Sequence, residues 1–183
     1  MEIDQAIKKR RTIHIFSKKK VPKEVIERAI FAANQAPCHR RTFPWRFTSL
    51  GNNKRELLYQ LQLTLKFGDE EIDKYNLTKI KDKIFNPSHL LIATQICSDD
   101  QVQKLEDYAA CACAIQNLSL SLISDDVGYK WSTGKITKDP KTYQIVEIDP
   151  SEEEIIGFIW IGYGTVPPLI ARPLPNTIFR ERD

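Results

Sequence analysis

Two guanidiniums and a hydroxyl stand side by side at Arg10-Arg11-Thr12, just after a stretch patterned as a helix. Guanidiniums grip phosphate oxygens two at a time, and a threonine hydroxyl adds one more bond. Arginines at a helix end also serve as a solvated cap matched to the helix dipole, so both readings stand at this point. A second set is His39-Arg40-Arg41, in a loop stiffened by Pro37 and Pro44 between a helix and a strand. Such junctions often bind ligands; an ordinary surface loop with Trp45 in the core is the alternative. A third is Gln116-Asn117 inside an otherwise apolar helix. Buried amides need partners, which a structural pair or a ligand would equally supply. The fourth is the turn Gly128-Tyr129-Lys130-Trp131-Ser132-Thr133-Gly134, where Trp131 alone fits a core position as well as a ligand contact.

Other chemistry is disfavoured. The chain has no Gly-x-Gly-x-x-Gly fingerprint. Cys38 adjoins His39 in sequence, but adjacency is not a dyad, and no Asp or Asn signature supports one. The four cysteines, Cys38, Cys97, Cys111 and Cys113, show no Cys-x-x-Cys spacing, so buried reduced thiols are expected rather than a metal site or disulfides. His89 precedes an apolar strand and reads as its cap.

The elements that must position these groups follow from periodicity. Residues 2–10 read as a short helix with Ile3, Ala6 and Ile7 on one face. Pro22 opens a second helix at the position where a missing N–H costs nothing, with Val25, Ile26, Ala29, Ile30 and Ala33 as its stripe; Pro37 ends it. Residues 45–50 read as a strand. Residues 51–86 are mostly polar with helical tendency. Residues 89–97 form an apolar run typical of a central strand. Asp99 or Asp100 caps the longest helix, about 101–125, whose stripe is Val102, Leu105, Ala109, Ala112, Ile115, Leu118 and Leu122. Two further strands are predicted at 129–132 and 155–161. The tail from Pro167 is rich in proline and arginine, either a free extended tail or an arm laid across a partner subunit.

At 183 residues, 42% hydrophobic and 28% charged, the chain has the composition of one globular domain with a real core. A net charge of +3 with interleaved signs makes no case for nucleic acid, yet suits a phosphorylated ligand. The polar start carries no signal peptide and no run of about 18 apolar residues occurs, so a cytoplasmic protein without a membrane partner is expected.

Taken in order, Arg10-Arg11-Thr12, the string from Ala36 to Phe47, Gln116-Asn117-Leu118 and Trp131-Ser132-Thr133-Gly134 resemble the FMN-dependent nitroreductase family, in particular its subgroup with an Ala-Pro-x-His…Pro-Trp loop. The resemblance covers about residues 3 to 180. It implies an α+β fold with a mostly antiparallel central sheet flanked by helices, a single domain over 1–183, and a domain-swapped type of homodimer with residues 168–183 as a C-terminal arm. It implies FMN as cofactor and NADPH or NADH as electron donor, with ping-pong hydride transfer through flavin N5 to a nitroaromatic, quinone or similar small acceptor. No side chain is assigned as a catalytic acid or base. Arg10, Arg11, Thr12 and Arg172 would hold the phosphate and ribityl chain. The family's motif at the N-terminus is Arg-Arg-Ser-x-Arg; His14 stands at its second basic position, and its charge depends on pH. His39 and Phe43 would reach the flavin of the neighbouring subunit. Trp131, Ser132, Thr133 and Gly134 would support the ring or its N5 edge. The same resemblance leaves room for a related flavin enzyme (dehalogenation, enone reduction or flavin breakdown), or for a flavin-binding storage or regulatory protein with little turnover.

Overall fold

The computed structural model describes residues 1–168 and 170–182. Seven α-helices and four strands run in the order α1 (Ile3–Lys9), α2 (Lys23–Ala33), β1 (Trp45–Ser49), α3 (Asn52–Phe67), α4 (Lys74–Phe85), β2 (His89–Ile96), α5 (Gln101–Ile123), β3 (Gly128–Ser132), α6 (Lys135–Lys138), α7 (Pro140–Val146) and β4 (Glu153–Gly162). The strands form one sheet in the order β1-β2-β4-β3, antiparallel throughout. The fold is α+β, as expected.

The central strands are apolar on both faces because helices cover both. Leu91, Ala93, Ile159 and Ile161 enter a core shared with α2 and α5. Their neighbours Leu90, Ile92, Phe158 and Trp160 point the other way, into a core shared with α3, α4 and α7. This two-sided burial accounts for the continuous apolar runs in β2 and β4. Each fully buried Leu or Ile contributes about 1.5–3 kcal/mol.

The segment after α1 docks on the edge of β3. Thr12 bridges Tyr129 in parallel and Phe16 bridges Gly164. Gly128 makes this approach possible: a Cβ there would meet Ile13 Cγ1 at 2.2 Å. The two motifs therefore meet as neighbouring backbone.

Most expected elements are present, with instructive differences. Pro22 sits at the N-cap of α2 rather than at its first helical residue. Asp100, not Asp99, caps α5, accepting from the Val102 and Gln103 amides. His89 holds its place structurally, with Nε2 3.1 Å from the Val21 carbonyl. The predicted stripe of α5 holds at Ile115, Leu118 and Leu122 and is corrected at Val102, Leu105 and Ala109, which are exposed. Its buried residues include Ala110, Cys111, Ala114, Ile115, Leu118 and Leu122, whereas Val102 is 60% and Leu105 70% exposed. Two apolar faces run along α5, one turned to the sheet and α2, the other, including Val102, Leu105 and Ala109, turned to solvent. The thiols are free, but only Cys111 is buried; Cys113 is exposed and the other two are intermediate.

Candidate active site

The docked N-terminal segment places Arg10 and Arg11 where α1 ends. Arg10 Nη1 donates to the Tyr129 hydroxyl at 3.2 Å and its guanidinium lies 5.8 Å from the Tyr129 ring centroid. Arg11 Nη1 donates to the carbonyls of Lys8 and Arg10, at 2.6 and 2.7 Å. Arg11 is thus a helix cap, while its remaining N–H groups stay available. Both arginines line a cavity of about 790 Å³ together with Lys8, Lys9, Gln116 and Arg172. Residues separated by most of the chain supply these cations, and among the described residues no carboxylate lines the space. Gln116 is exposed rather than buried; its Oε1 accepts from Ser119 Oγ at 3.4 Å, and its NH2 remains to meet a ligand in that cavity.

His14 lies on the far side of the same segment. It lines a different cavity, of about 570 Å³, with Lys83 and Lys130. Lys83 and Lys130 also line a neighbouring cavity of about 640 Å³, whose walls include Trp131, Ser132, Thr133 and Gly134. A trough therefore runs along the edge of β3 from His14 to Gly134. Trp131 Nε1 donates to the Ile156 carbonyl at 3.2 Å, and Ser132 Oγ accepts from Trp160 Nε1 at 2.8 Å. These two side chains are committed to the fold, which leaves the exposed Thr133 and Gly134 as the free part of the turn. Gly134 is extended, and a Cβ there would meet no atom within 4 Å. The chain's own packing does not demand glycine at 134; the residue preserves open space.

Lys83 was not legible as a site residue. Its local signal is modest: no acidic residue lies three or four positions away to pair with it. In the fold its ammonium faces a concave wall. Burial first, and then Lys130 and Lys66, push its pKa below the usual lysine value. The residue as a whole is exposed, so the burial that lowers its pKa is that of a group lining an open cavity.

The loop with His39 and Phe43 stands apart from the trough. His39 Nε2 is 3.8 Å from Glu106 Oε1 at the start of α5. Arg40, Arg41 and Phe43 all have left-handed backbone, with φ of 57°, 55° and 45°, a conformation costing on the order of 1 kcal/mol or more per non-glycine residue. Side chains brace it. The Phe43 amide donates to Cys38 Sγ at 3.2 Å, and the Thr42 hydroxyl donates to the buried Asp107 carboxylate. Burial, with Asp107 and Cys38 adding to it, pushes the nearby Cys111 thiol up to about 12. Phe43 is held 49% exposed. Within one chain, then, the predicted site residues occupy three places: the arginine cavity, the trough along β3, and the braced loop. Thr12 lies between the first two, bridged to Tyr129.

A family model described as the nitroreductase family matches residues 7–163. A Bacillus subtilis protein named among the NAD(P)H nitroreductases, YfhC, is 29% identical over 172 residues, covering 92% of this chain and 88% of the relative. Among solved structures, a nitroreductase-like family protein from Bacillus cereus shares the fold with a TM-score of 0.84 at 23% identity, covering 100% of this chain and 97% of the other. A nitroreductase with bound FMN from Bacteroides fragilis gives a TM-score of 0.73 at 21% identity, with 100% of both chains covered.

Proposed function

The chain belongs to the nitroreductase family of oxidoreductases, and from that premise we propose that it binds FMN and uses NAD(P)H to reduce a nitroaromatic, quinone or similar small acceptor. The observation that carries this reading is the gathering of Arg10, Arg11 and Arg172 around one carboxylate-free cavity, beside a trough that ends at open Gly134.

The donor chemistry of this chain fits the cofactor. Three guanidiniums suit a phosphate, since each offers a planar pair of donors. Thr12, beside them, suits the ribityl chain. The Thr133-Gly134 turn offers backbone groups and unfilled space to a ring, and His14, Lys83 and Lys130 line the wall below it. When bound, FMN supplies a carrier that takes hydride from NAD(P)H and passes it on, so ping-pong kinetics are expected. For a nitro acceptor the balance is simple. NAD(P)H and one proton are consumed, and the nitro group becomes a nitroso group with loss of water. The lysines of the trough favour negative charge developing at its wall, and no side-chain acid or base is assigned.

The active assembly is read as a homodimer. The outer apolar face of α5, with Val102, Leu105 and Ala109, has no partner among the described residues of one chain. The segment from residue 168 onward carries exposed Ile170, Leu174, Ile178 and Phe179, which suits an arm lying on a second copy. Such an assembly would bring the braced His39 and Phe43 to the neighbour's flavin. Leu105→Asp is expected to shift the protein to monomer in sedimentation velocity and to cost bound flavin.

The direct test of the function is the visible spectrum of the purified protein, followed by NADPH without oxygen. Flavin bands that bleach support the reading. Bands that persist would favour a flavin store with little turnover, and a colourless protein that takes up no added FMN would sink the site assignments.

A further inference from the structure

We propose that the lysine-lined cavity at the β3 edge selects acceptors bearing a carboxylate on an aromatic ring, with Lys66 as the residue that reads the charge. The inference rests on the flavin reading and adds a substrate class to it.

Lys66, Lys83, Lys130 and Lys135 all line this cavity, and among the described residues no Asp or Glu does. None of the four forms an ion pair among the described residues, although Lys23, Lys54 and Lys104 do so elsewhere. Lys66, in the last turn of α3, has its ammonium 4.8 Å from the Phe67 ring centroid, a weak contact that leaves its three donors free. Burial lowers the pKa of Lys83, and the like charges of Lys130 and Lys66 on the same wall add to that lowering. Folding has gathered like charge around a concave space, and an anion placed there offsets that charge. A cavity of about 640 Å³ lies within the usual range for small-molecule sites. Trp131 and Trp160 supply flat apolar wall for a ring. Thr133 and Gly134, the turn proposed to support the flavin ring, also line it, so an acceptor held there would lie next to the place proposed for the cofactor. Phosphate recognition is already provided by the separate arginine cavity, which leaves these lysines for a second anion.

The test compares 4-nitrobenzoate with 4-nitrobenzamide, the same ring without the charge, on the flavin-loaded protein. The readout is the ratio of their kcat/KM values, together with binding of redox-inert benzoate and benzamide followed by tryptophan quenching. The native protein is expected to favour the carboxylate about tenfold or more. Lys66→Ala is expected to cut that preference about tenfold, equivalent to about 1.4 kcal/mol, while Lys66→Arg keeps it. Benzoate affinity should fall in parallel with the ratio. A native ratio near one, a ratio unchanged in Lys66→Ala, or an effect confined to the KM for NADPH would overturn the proposal. The flavin bands and their bleaching by NADPH are recorded on the same samples. Their loss would defeat the flavin reading, while benzoate quenching would still decide whether the cavity takes carboxylates.

Discussion

Arg10 and Arg11 in the one cavity and the lysines of the other are held in opposite ways. Arg10 is tied to Tyr129, and Arg11 to the carbonyls that end α1. Lys66, Lys83, Lys130 and Lys135 have no ion-pair or hydrogen-bond partner for their ammoniums among the described residues. A tethered guanidinium is pre-organised and loses little freedom on meeting a phosphate. A free ammonium on a four-carbon stem can follow ligands of different shape. On the proposed reading, the first cavity would retain a fixed anion and the second would admit exchangeable ones, the division a carrier-based reductase needs.

The comparison breaks most decisively at the arginines. Arg10→Ala and Arg172→Ala should each weaken FMN binding by about 10- to 100-fold, because a hydrogen bond to a charged group is worth about 1.5–3 kcal/mol. Quenching of free flavin fluorescence on titration measures this. Unchanged affinity in both variants would place the phosphate elsewhere. A smaller effect is expected from salt. Raising ionic strength should erode the carboxylate preference several-fold while FMN stays bound, since a single ammonium–carboxylate attraction is screened sooner than a phosphate gripped by several guanidiniums. Equal loss of both would remove the distinction.

The smallest effect lies in pH. Lys83 has its folded pKa held below the ordinary 10.5. Between the folded and unfolded values the unfolded state binds more protons, so stability contributed by this group rises with pH across that window. Carboxylate preference should move the other way, declining as pH rises through the alkaline range below 10.5, because the ammonium that attracts the anion is being lost. Lys83→Met should flatten both trends, in chemical denaturation and in the kcat/KM ratio. A preference that survives to the ordinary lysine range would remove Lys83 from the anion site.

How much was readable from the chain differs by region. The four motifs were legible because each is local, and proline and glycine impose their geometry within a few residues. The two central strands were legible because both faces are apolar. Along α5 periodicity misled: Ala112 and Ile115 have similar helical spacing whichever face is inward, and small residues fit both. Only packing shows that Ala110 and Ala114 turn inward with Leu118 while Leu105 meets solvent. The short helices α6 and α7 went unread because the Asp139-Pro140 junction that starts α7 is equally a turn signal.

By itself the chain determined its α+β class, the order of its main elements, the arginine pair and the turn at 131–134, since these depend on side-chain pattern and local backbone preference. The tertiary structure decided which distant residues share a space. Arg172 joins Arg10 and Arg11 because the segment after β4 returns to the end of α1. Lys66 and Lys83 join Lys130 because α3 and α4 pack on the same face of the sheet. No local rule reports such meetings: the free energy that brings those charges together comes from burying the apolar faces of α3, α4, β2 and β4, and the charges themselves oppose it.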